Sequence, residues 1–274
     1  MTSLRELQRN WESLAQADPL WSICTDPEKR NQRWDATEFF ATGRREIELI
    51  MEYLRKLEIR LDHSAPALDF GCGVGRLTRA LTDDFPECWG VDISPTMIRL
   101  AEGFHTDKGK CRFVLNATAD LPMFRDGFFG FIYSSIVFQH IGRKYVKNYL
   151  LELVRVLKPG GVFVFQIVDH FRASSLEKFR NKLGLRRRMS RLLKKNQDTF
   201  RMEMHCIAER HVRSMLNGVK VRIADVQRTN SAEPGFNGNL QYLDHDPELG
   251  YISKQYCLVK LSNVATKHDE SASA

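Results

Sequence analysis

The sequence has no paired cysteines and no long apolar run, and each absence excludes a class of protein. Its six cysteines are scattered through 274 residues, with no CxxC pair and no histidine spacing that suits zinc. We therefore expect reduced thiols, no disulfide framework and no metal site. Residues 1–19 carry charges throughout, and no stretch reaches the roughly 18 apolar residues that a membrane-spanning helix needs. These absences predict a cytoplasmic protein without a membrane span.

Positive charge is in excess and unevenly distributed. Lysine and arginine number 41 against 34 acidic residues, which gives a net charge of +7. Residues 178–195 contain nine of the basic residues and no acid. Two interpretations of this segment stay open: the solvated face of an amphipathic helix, or a contact surface for an anionic substrate, nucleic acid or membrane surface.

Apolar strands alternate with amphipathic helices along most of the chain. This alternation predicts βαβ units and a mostly parallel, doubly wound α/β sheet. The closing pair of strands is expected to place an antiparallel strand at the sheet edge. Seven strands are predicted, at residues 67–70, 88–94, 111–116, 128–135, 162–168, 219–227 and 256–262. The predicted helices are 44–60, 95–104, 143–157 and 206–217.

The same pattern divides the chain into three parts. Residues 1–43 form a polar, aromatic-bearing arm that is expected to be helical. Residues 44–263 form the α/β domain, which includes a basic helical insert at about 170–210. Residues 264–274 form a polar tail that we expect to be disordered.

The stretch ALDFGCGVGRLTRALTDDF, residues 67–85, passes from a predicted strand through a glycine turn into a helix. Gly71, Gly73 and Gly75 alternate there, and glycine lets the backbone approach a ligand and take positive φ. In a doubly wound sheet such a turn binds nucleotide-like ligands. A dinucleotide motif, G-x-G-x-x-G, would need a third glycine where Arg76 or Thr78 stands, so the spacing argues against a dehydrogenase.

Asp92 ends the second predicted strand, 17 residues after Gly75. A carboxylate there can accept hydrogen bonds from both hydroxyls of a ribose, and it repels a 2′-phosphate. The alternative is that Asp92 is the N-cap of the helix that follows.

Four elements in this order resemble the class I S-adenosylmethionine-dependent methyltransferases of the bacterial small-molecule type. They are D-x-G-x-G-x-G at 69–75, the acid Asp92, the strand ending Ile-Tyr-Ser at 132–134, and Val-Leu-Lys-Pro-Gly-Gly at 156–161. The resemblance covers residues 34–168 and implies a Rossmann-like sheet with S-adenosylmethionine as cofactor. One departure is Gly130, which stands where many relatives carry an acid.

The resemblance also implies roles for individual residues. Asp69 orients the methionine end of the cofactor from beneath the turn, Asp92 binds its ribose, and the loop 116–122 encloses its adenine. Ile93 and Met97 either pack on the adenine or belong to the core, and the arm aromatics either line the site or pack the arm onto the sheet. The predicted cofactor residues are Asp69, Gly71, Cys72, Gly73, Gly75, Asp92, Ile93, Met97, Thr118, Ala119, Asp120, Ser135, Trp34, Phe40 and Gly43.

Gln139 and His140 are the predicted catalytic residues, because the resemblance implies that they lie at the mouth of the sheet, near where the transferred methyl would be. The unperturbed pKa of histidine suits proton removal near neutrality, so His140 is the candidate general base. A helix-capping or structural histidine is the alternative.

The function expected from these features is in-line methyl transfer to a small molecule, with the arm and the insert as a lid. The sequence has no Asn/Asp-Pro-Pro-Tyr/Phe motif of amino-directed nucleobase enzymes. An RNA or tRNA methyltransferase that uses residues 178–195 is one alternative, and a non-catalytic cofactor-binding module is another. The sequence names neither the acceptor nor the oligomeric state.

Overall fold

The computed structural model describes residues 3–105, 109–173 and 202–262. The predicted basic segment 178–195 and the predicted tail 264–274 lie outside the described residues. The helices are α1 Leu4–Ala17, α2 Pro19–Ile23, α3 Ala36–Lys56, α4 Arg76–Leu81, α5 Pro95–Phe104, α6 Arg143–Val156 and α7 Glu209–Met215. The strands are β1 Ala67–Phe70, β2 Cys88–Asp92, β3 Cys111–Leu115, β4 Phe129–Ser134, β5 Leu157–Arg172, β6 Val221–Thr229, β7 Tyr242–Leu243 and β8 Gly250–Lys260.

The eight strands form one sheet in the order β3-β2-β1-β4-β5-β8-β6-β7. Strands β1 to β5 are parallel to one another, and β8 is antiparallel to both of its neighbours. The α/β, doubly wound, mostly parallel fold class is therefore confirmed. The order reverses between β1 and β4, so a crevice opens beyond their carboxyl ends, where such sheets bind ligands.

Two details of the sheet differ from the prediction. The loop 229–250 contains an eighth strand of two residues, β7, which is too short to produce a sequence pattern. The predicted closing strand, β8, lies between β5 and β6, and the antiparallel strand at the edge of the sheet is β7, which pairs with β6. The β8 side chains Ile252, Tyr256, Cys257 and Leu258 are all fully buried, and a strand that is apolar on both faces is disfavoured at an open edge.

Two element boundaries also differ from the prediction. Helix α3 begins at Ala36 rather than residue 44, because the Asp35 carboxylate accepts a hydrogen bond from the Glu38 amide at 2.9 Å and caps the helix. This helix crosses residue 43, and the division into arm and domain stays a prediction. Strand β5 continues to Arg172 in register with β8, four residues beyond its predicted end at residue 168, and the insert at about 170–210 stays a prediction.

Helices cover both faces of the sheet, because successive strand residues point to opposite sides. In β5, Phe163 and Phe165 pack in the cluster that includes α6, whereas Val162 and Val164 pack in the cluster that includes α3 and α4. The six cysteines are all free, and four of them are buried. Within the described residues, no helix has the length and hydropathy needed to cross a bilayer.

Candidate active site

A cavity of about 360 Å³ opens at the carboxyl ends of β1, β2 and β4. Its walls come from the glycine turn, the ends of β2 and β4, helix α1, and the segments around residues 202–204 and 231–236. Nine of the predicted site residues line it: Gly71, Cys72, Gly73, Asp92, Ile93, Met97, Ser135, Gln139 and His140.

The glycine turn is built from backbone bonds that require glycine. Gly71 has φ +82°, and its amide donates to the Val91 carbonyl at 2.7 Å. A Cβ at position 71 would lie 2.2 Å from Cγ2 of Val137, so no larger residue fits. Backbone, rather than side chains, therefore forms this wall of the cavity.

Asp92 fastens the turn and still faces the cavity. Its Oδ2 accepts from the Gly73 amide at 2.9 Å, and its Oδ1 accepts from the Ser94 amide at 2.8 Å. Burial raises the pKa of Asp92 above its ordinary value, against these backbone hydrogen bonds. The N-cap of α5 is Ser94, whose hydroxyl accepts from the Met97 amide, so the N-cap alternative for Asp92 is wrong. Each carboxylate oxygen keeps a further lone pair for a ligand hydroxyl.

The loop after β3 presents a different residue from those predicted. Thr118, Ala119 and Asp120 do not line the cavity, whereas Asn116 does. The Asn116 amide nitrogen donates to the carbonyls of Thr118 and Asp120 at 3.2 and 3.1 Å, which shapes the loop. Asn116 directly follows β3, and Asp92 is the last residue of β2, so both lie at the carboxyl ends of neighbouring strands. This equivalent position is the sequence signal that could have identified Asn116.

His140 is neutral and hydrogen-bonded at both ring nitrogens. Its Nδ1 lies 2.8 Å from the Glu203 carbonyl, which can only accept, so Nδ1 carries the proton. Its Nε2 then accepts from the Gln139 amide at 3.2 Å. Burial lowers the pKa of His140 to about 4, although the bond to the Glu203 carbonyl opposes this. The pKa of this buried ring therefore lies below the unperturbed value on which the predicted general-base role depended.

Comparison with known proteins agrees with this geometry. The family described as a methyltransferase domain matches residues 68–165. The chain is 32% identical over 135 residues to the uncharacterized methyltransferase YcgJ of Bacillus subtilis, over 48% of this chain and 51% of that protein. It is 30% identical over 104 residues to the 2-heptyl-1-hydroxyquinolin-4(1H)-one methyltransferase of Mycobacteroides abscessus, over 37% of this chain and 45% of that protein. The chain thus spans about half the length of the curated relatives that it matches.

A solved structure shares the fold at low identity. Magnesium protoporphyrin IX methyltransferase from Synechocystis PCC 6803, solved with bound SAH, matches with a TM-score of 0.55 and 14% identity over 93% of this chain and 98% of that one. Residues 68–165 therefore match the methyltransferase domain family, and the fold around them is that of the S-adenosylmethionine-dependent methyltransferases.

The cavity of this methyltransferase fits S-adenosylmethionine. Its volume lies within the range of small-molecule sites, and Asp92 and Asn116 supply polar groups at the ends of β2 and β3. Two buried side-chain atoms that have no hydrogen-bond partner within the described residues, Arg76 Nε and Ser135 Oγ, belong to residues that line it. No group of three His, Cys, Asp or Glu side chains suited to a metal ion occurs in the described part of the chain.

Asp69 and Gly75 of the methyltransferase motif do not line the cavity. The buried Asp69 carboxylate accepts from the Thr78 hydroxyl at 2.7 Å, which joins β1 to α4. Burial raises the pKa of Asp69 to about 7, and the Thr78 bond opposes the shift. Gly75 has φ +83° as it begins α4, and a Cβ there would meet the Phe113 ring at 2.8 Å.

The three predicted arm residues also lie away from the cavity. Trp34 and Phe40 pack in a buried cluster with Cys24 and Val74, and the Trp34 indole donates to the Cys24 carbonyl at 3.1 Å. A Cβ on Gly43 would lie 2.4 Å from the Arg76 carbonyl oxygen, so Gly43 lets α3 and α4 pack closely. This arrangement corresponds to the second of the two predicted alternatives, in which the aromatic residues of the arm pack it onto the sheet.

Helix α1 covers the cavity instead, through residues that the sequence analysis did not identify. The Glu12 carboxylate accepts from the Ser94 hydroxyl and from both the amide and the hydroxyl of Thr96, at 2.6–3.0 Å. Leu7 and Trp11 of the same helix line the cavity. This helix is therefore fastened to the start of α5, next to Asp92.

A buried polar network borders the cavity through Gln139 and Ser231. The Gln166 amide donates to Oε1 of Gln139 at 3.0 Å and to the Ser253 hydroxyl at 2.7 Å. The hydroxyls of Ser253, Thr229 and Ser231 lie within 2.8–2.9 Å of one another. Gln139 and Ser231 line the cavity, so the network presents an N–H donor and a hydroxyl to it.

Proposed function

We propose that this methyltransferase transfers a methyl group from S-adenosylmethionine to a small, largely apolar acceptor that carries one polar group. The observation that carries the proposal is a cavity with two unlike sets of lining residues. The glycine turn and Asp92 form one set, and Met202, Met204, Phe236 and Tyr251 form the other. Apolar walls with a few placed polar groups are typical of sites for small organic molecules.

The named acceptor of one relative supports this class. The Mycobacteroides abscessus protein is named for a 2-heptyl-1-hydroxyquinolinone, a ring that carries an apolar chain and a hydroxyl. In this chain the apolar residues would cover such a ring, and Gln139 and Ser231 would bond its polar group. The basic segment 178–195, which supports the RNA alternative, lies outside the described residues. We propose the small-molecule function because the acceptor named for that relative favours it, and a cytoplasmic location stays a prediction.

The protein contributes to the reaction mainly by positioning the two reactants and by excluding water from the cavity. When bound, S-adenosylmethionine supplies an electrophilic methyl on a sulfonium, and its transfer in line quenches that charge. Asp92 and the glycine turn hold one reactant, and the apolar lining residues with Gln139 and Ser231 hold the other. Holding both reactants in position removes an entropic barrier. Leu7 and Trp11 cover the cavity and exclude water.

His140 serves in this proposal as an orienting group rather than as a strong base. Its pKa of about 4 makes it a poor proton acceptor near neutrality, and its Nε2 already accepts from Gln139. An acceptor that must lose a proton would therefore need to be acidic itself.

The test is calorimetric titration of S-adenosylmethionine into the wild type and into Asp92→Ala. We expect at least a tenfold loss of affinity in the variant, because two hydrogen bonds to a charged group are removed. Asp83→Ala, a change on the exposed surface, should keep the wild-type affinity. The acceptor class is tested by methyl transfer from tritiated cofactor to 1-hydroxy-2-heptylquinolin-4-one.

Equal affinity in Asp92→Ala and the wild type would contradict the ribose assignment. A wild type that binds no S-adenosylmethionine would contradict the proposed function as a whole.

A further inference from the structure

A hydrogen-bond chain of three side chains runs beside the cavity and meets the backbone at both of its ends. The Ile136 amide lies 3.1 Å from the side-chain amide of Gln166, which contacts the side-chain amide of Gln139 at 3.0 Å. Gln139 in turn contacts Nε2 of His140 at 3.2 Å, and Nδ1 of His140 lies 2.8 Å from the Glu203 carbonyl. All three side chains are buried.

The two backbone ends permit one direction for this chain. The Ile136 N–H can only donate, so the Gln166 atom that faces it is the amide oxygen. The Gln166 nitrogen then donates to the Gln139 oxygen, and the Gln139 nitrogen is the atom that faces His140. The Glu203 carbonyl can only accept, so the ring proton of His140 lies on Nδ1 and Nε2 accepts from Gln139.

The direction of the chain decides which end of Gln139 meets a ligand. Gln139 and His140 line the cavity, whereas Gln166 does not. The oxygen of Gln139 points to Gln166, away from the cavity wall, and its nitrogen points to His140 on that wall. This nitrogen has two hydrogens, of which His140 takes one. Gln139 cannot turn its amide round, because its nitrogen would then meet the N–H groups of Gln166.

We propose that the second hydrogen of Gln139 Nε2 donates to an oxygen of the methyl acceptor, so that the site selects acceptors that present an oxygen there and rejects those that present an N–H. Gln166 is a positioning residue, because it holds Gln139 without lining the cavity. A ligand N–H at this position would leave two donors facing each other without partners, which lowers affinity. This inference rests on the proposed function, since it names the group by which that acceptor is recognised.

The test compares two ligands that differ at one position of the ring. 1-Hydroxy-2-heptylquinolin-4-one presents an N–O group, and 2-heptylquinolin-4(1H)-one presents an N–H group in its place. Each is titrated calorimetrically with S-adenosylhomocysteine present, so that no methyl is transferred, and the ratio of the two dissociation constants is taken. We expect the wild type to bind the N–O ligand at least about fivefold more tightly. Because both affinities come from the same protein, a partial loss of folding cancels from the ratio.

Three variants separate the donor from the residue that positions it. Gln139→Met removes the donor, so the ratio should fall to about one. Gln166→Met leaves Gln139 free to turn either end of its amide to the cavity, so the ratio should also fall toward one. Gln255→Met is the matched control and should keep the wild-type ratio, because Gln255 is a buried glutamine of the same sheet that bonds the Tyr242 hydroxyl away from the cavity.

Nitrogen NMR of the His140 ring tests the chain without any acceptor. A chain that runs from the Ile136 amide to the Glu203 carbonyl requires a proton on Nδ1 and none on Nε2. The His140→Asn protein identifies the ring signals by their loss. A proton on Nε2 in the neutral ring would reverse the chain and overturn the inference.

A ratio near one in the wild type, or a wild-type ratio in Gln139→Met or in Gln166→Met, would also overturn the inference while leaving the proposed function intact. No binding of either ligand to the wild type would overturn the proposed acceptor class and this inference with it.

Discussion

The indole of Trp11 packs edge-on against the imidazole of His140, with ring centroids 5.1 Å apart and planes at 71°. The contact joins α1 to the short turn after β4, across the cavity. It also contributes to the burial that lowers the pKa of His140 to about 4.

Replacing Trp11 with alanine should therefore raise the pKa of His140 toward the ordinary histidine value of 6.5. Removal of the indole admits water, and water favours the charged imidazolium. The titration of the His140 ring protons by NMR measures this change. Trp21→Ala serves as the control, because Trp21 bonds the Asp26 carbonyl and does not contact His140. An unchanged His140 titration in Trp11→Ala would contradict the role of α1 as the cover.

The hydrogen bonds of Glu12 predict that the free energy of unfolding changes with pH in the acid range. Burial raises the pKa of Glu12, yet the hydrogen bonds from Thr96 and Ser94 outweigh it and lower the pKa from 4.5 to about 2. A depressed carboxyl pKa stabilises the fold above the unfolded value and loses that effect as pH falls through the folded one. Glu12→Gln should thus be less stable than the wild type by about 1 kcal/mol at neutral pH, the size of a lost helix cap.

That difference should shrink between pH 4.5 and about 2, as the wild-type carboxylate is protonated. Urea unfolding at a series of pH values measures it, with Glu48→Gln on the exposed face of α3 as the matched change. If the difference in unfolding free energy between the wild type and Glu12→Gln stays constant as the pH falls, the hydrogen bonds to the Glu12 carboxylate do not stabilise the fold.

The buried carboxyl of Asp69 is expected to make the free energy of unfolding change with pH in the opposite direction. Its pKa is raised by burial from 3.8 to about 7, so the folded state holds a proton that the unfolded state releases. Stability should therefore fall as pH rises through this window and level off above it. Asp69→Asn removes the titration, so its stability relative to the wild type should increase from pH 4 to 7. Urea unfolding across that range checks the sign, and a relative stability independent of pH would be the contrary result.

Gly71→Ala should destabilise the fold by at least about 1 kcal/mol, because alanine is strained at positive φ and would collide with Val137. Gly103 provides the control within helix α5, where an added Cβ meets nothing within 4 Å. Gly103→Ala should stabilise the protein by about 0.5–1 kcal/mol through helix propensity. Chemical unfolding of both variants measures these changes in stability. Similar changes in Gly71→Ala and Gly103→Ala would contradict the packing described for the turn.

The sequence predicted the parts of the site that are local in the chain. The strand, glycine turn and helix at 67–81 form one continuous unit, and Asp92 ends the next strand, so their spacing alone located them. Asn116 was missed by two positions, because loop backbone sets its direction and loops carry no periodic pattern. Glu12 and Ser231 could not be found this way, because only tertiary packing brings α1 and the segment after β6 to the cavity.

The position of β8 has a consequence for how the molecule is assembled. Within the described residues, β6 pairs only with β8 and β7, both of which are synthesised after it. The parallel half of the sheet can form while β6 still has no partner, and β5 then presents an open edge to it. Insertion of β8 between the two closes the sheet in a late, non-local step, of the kind that slows folding and exposes intermediates to aggregation. Ribosome-bound chains that stop before Gly250 should therefore depend on chaperones more than longer ones.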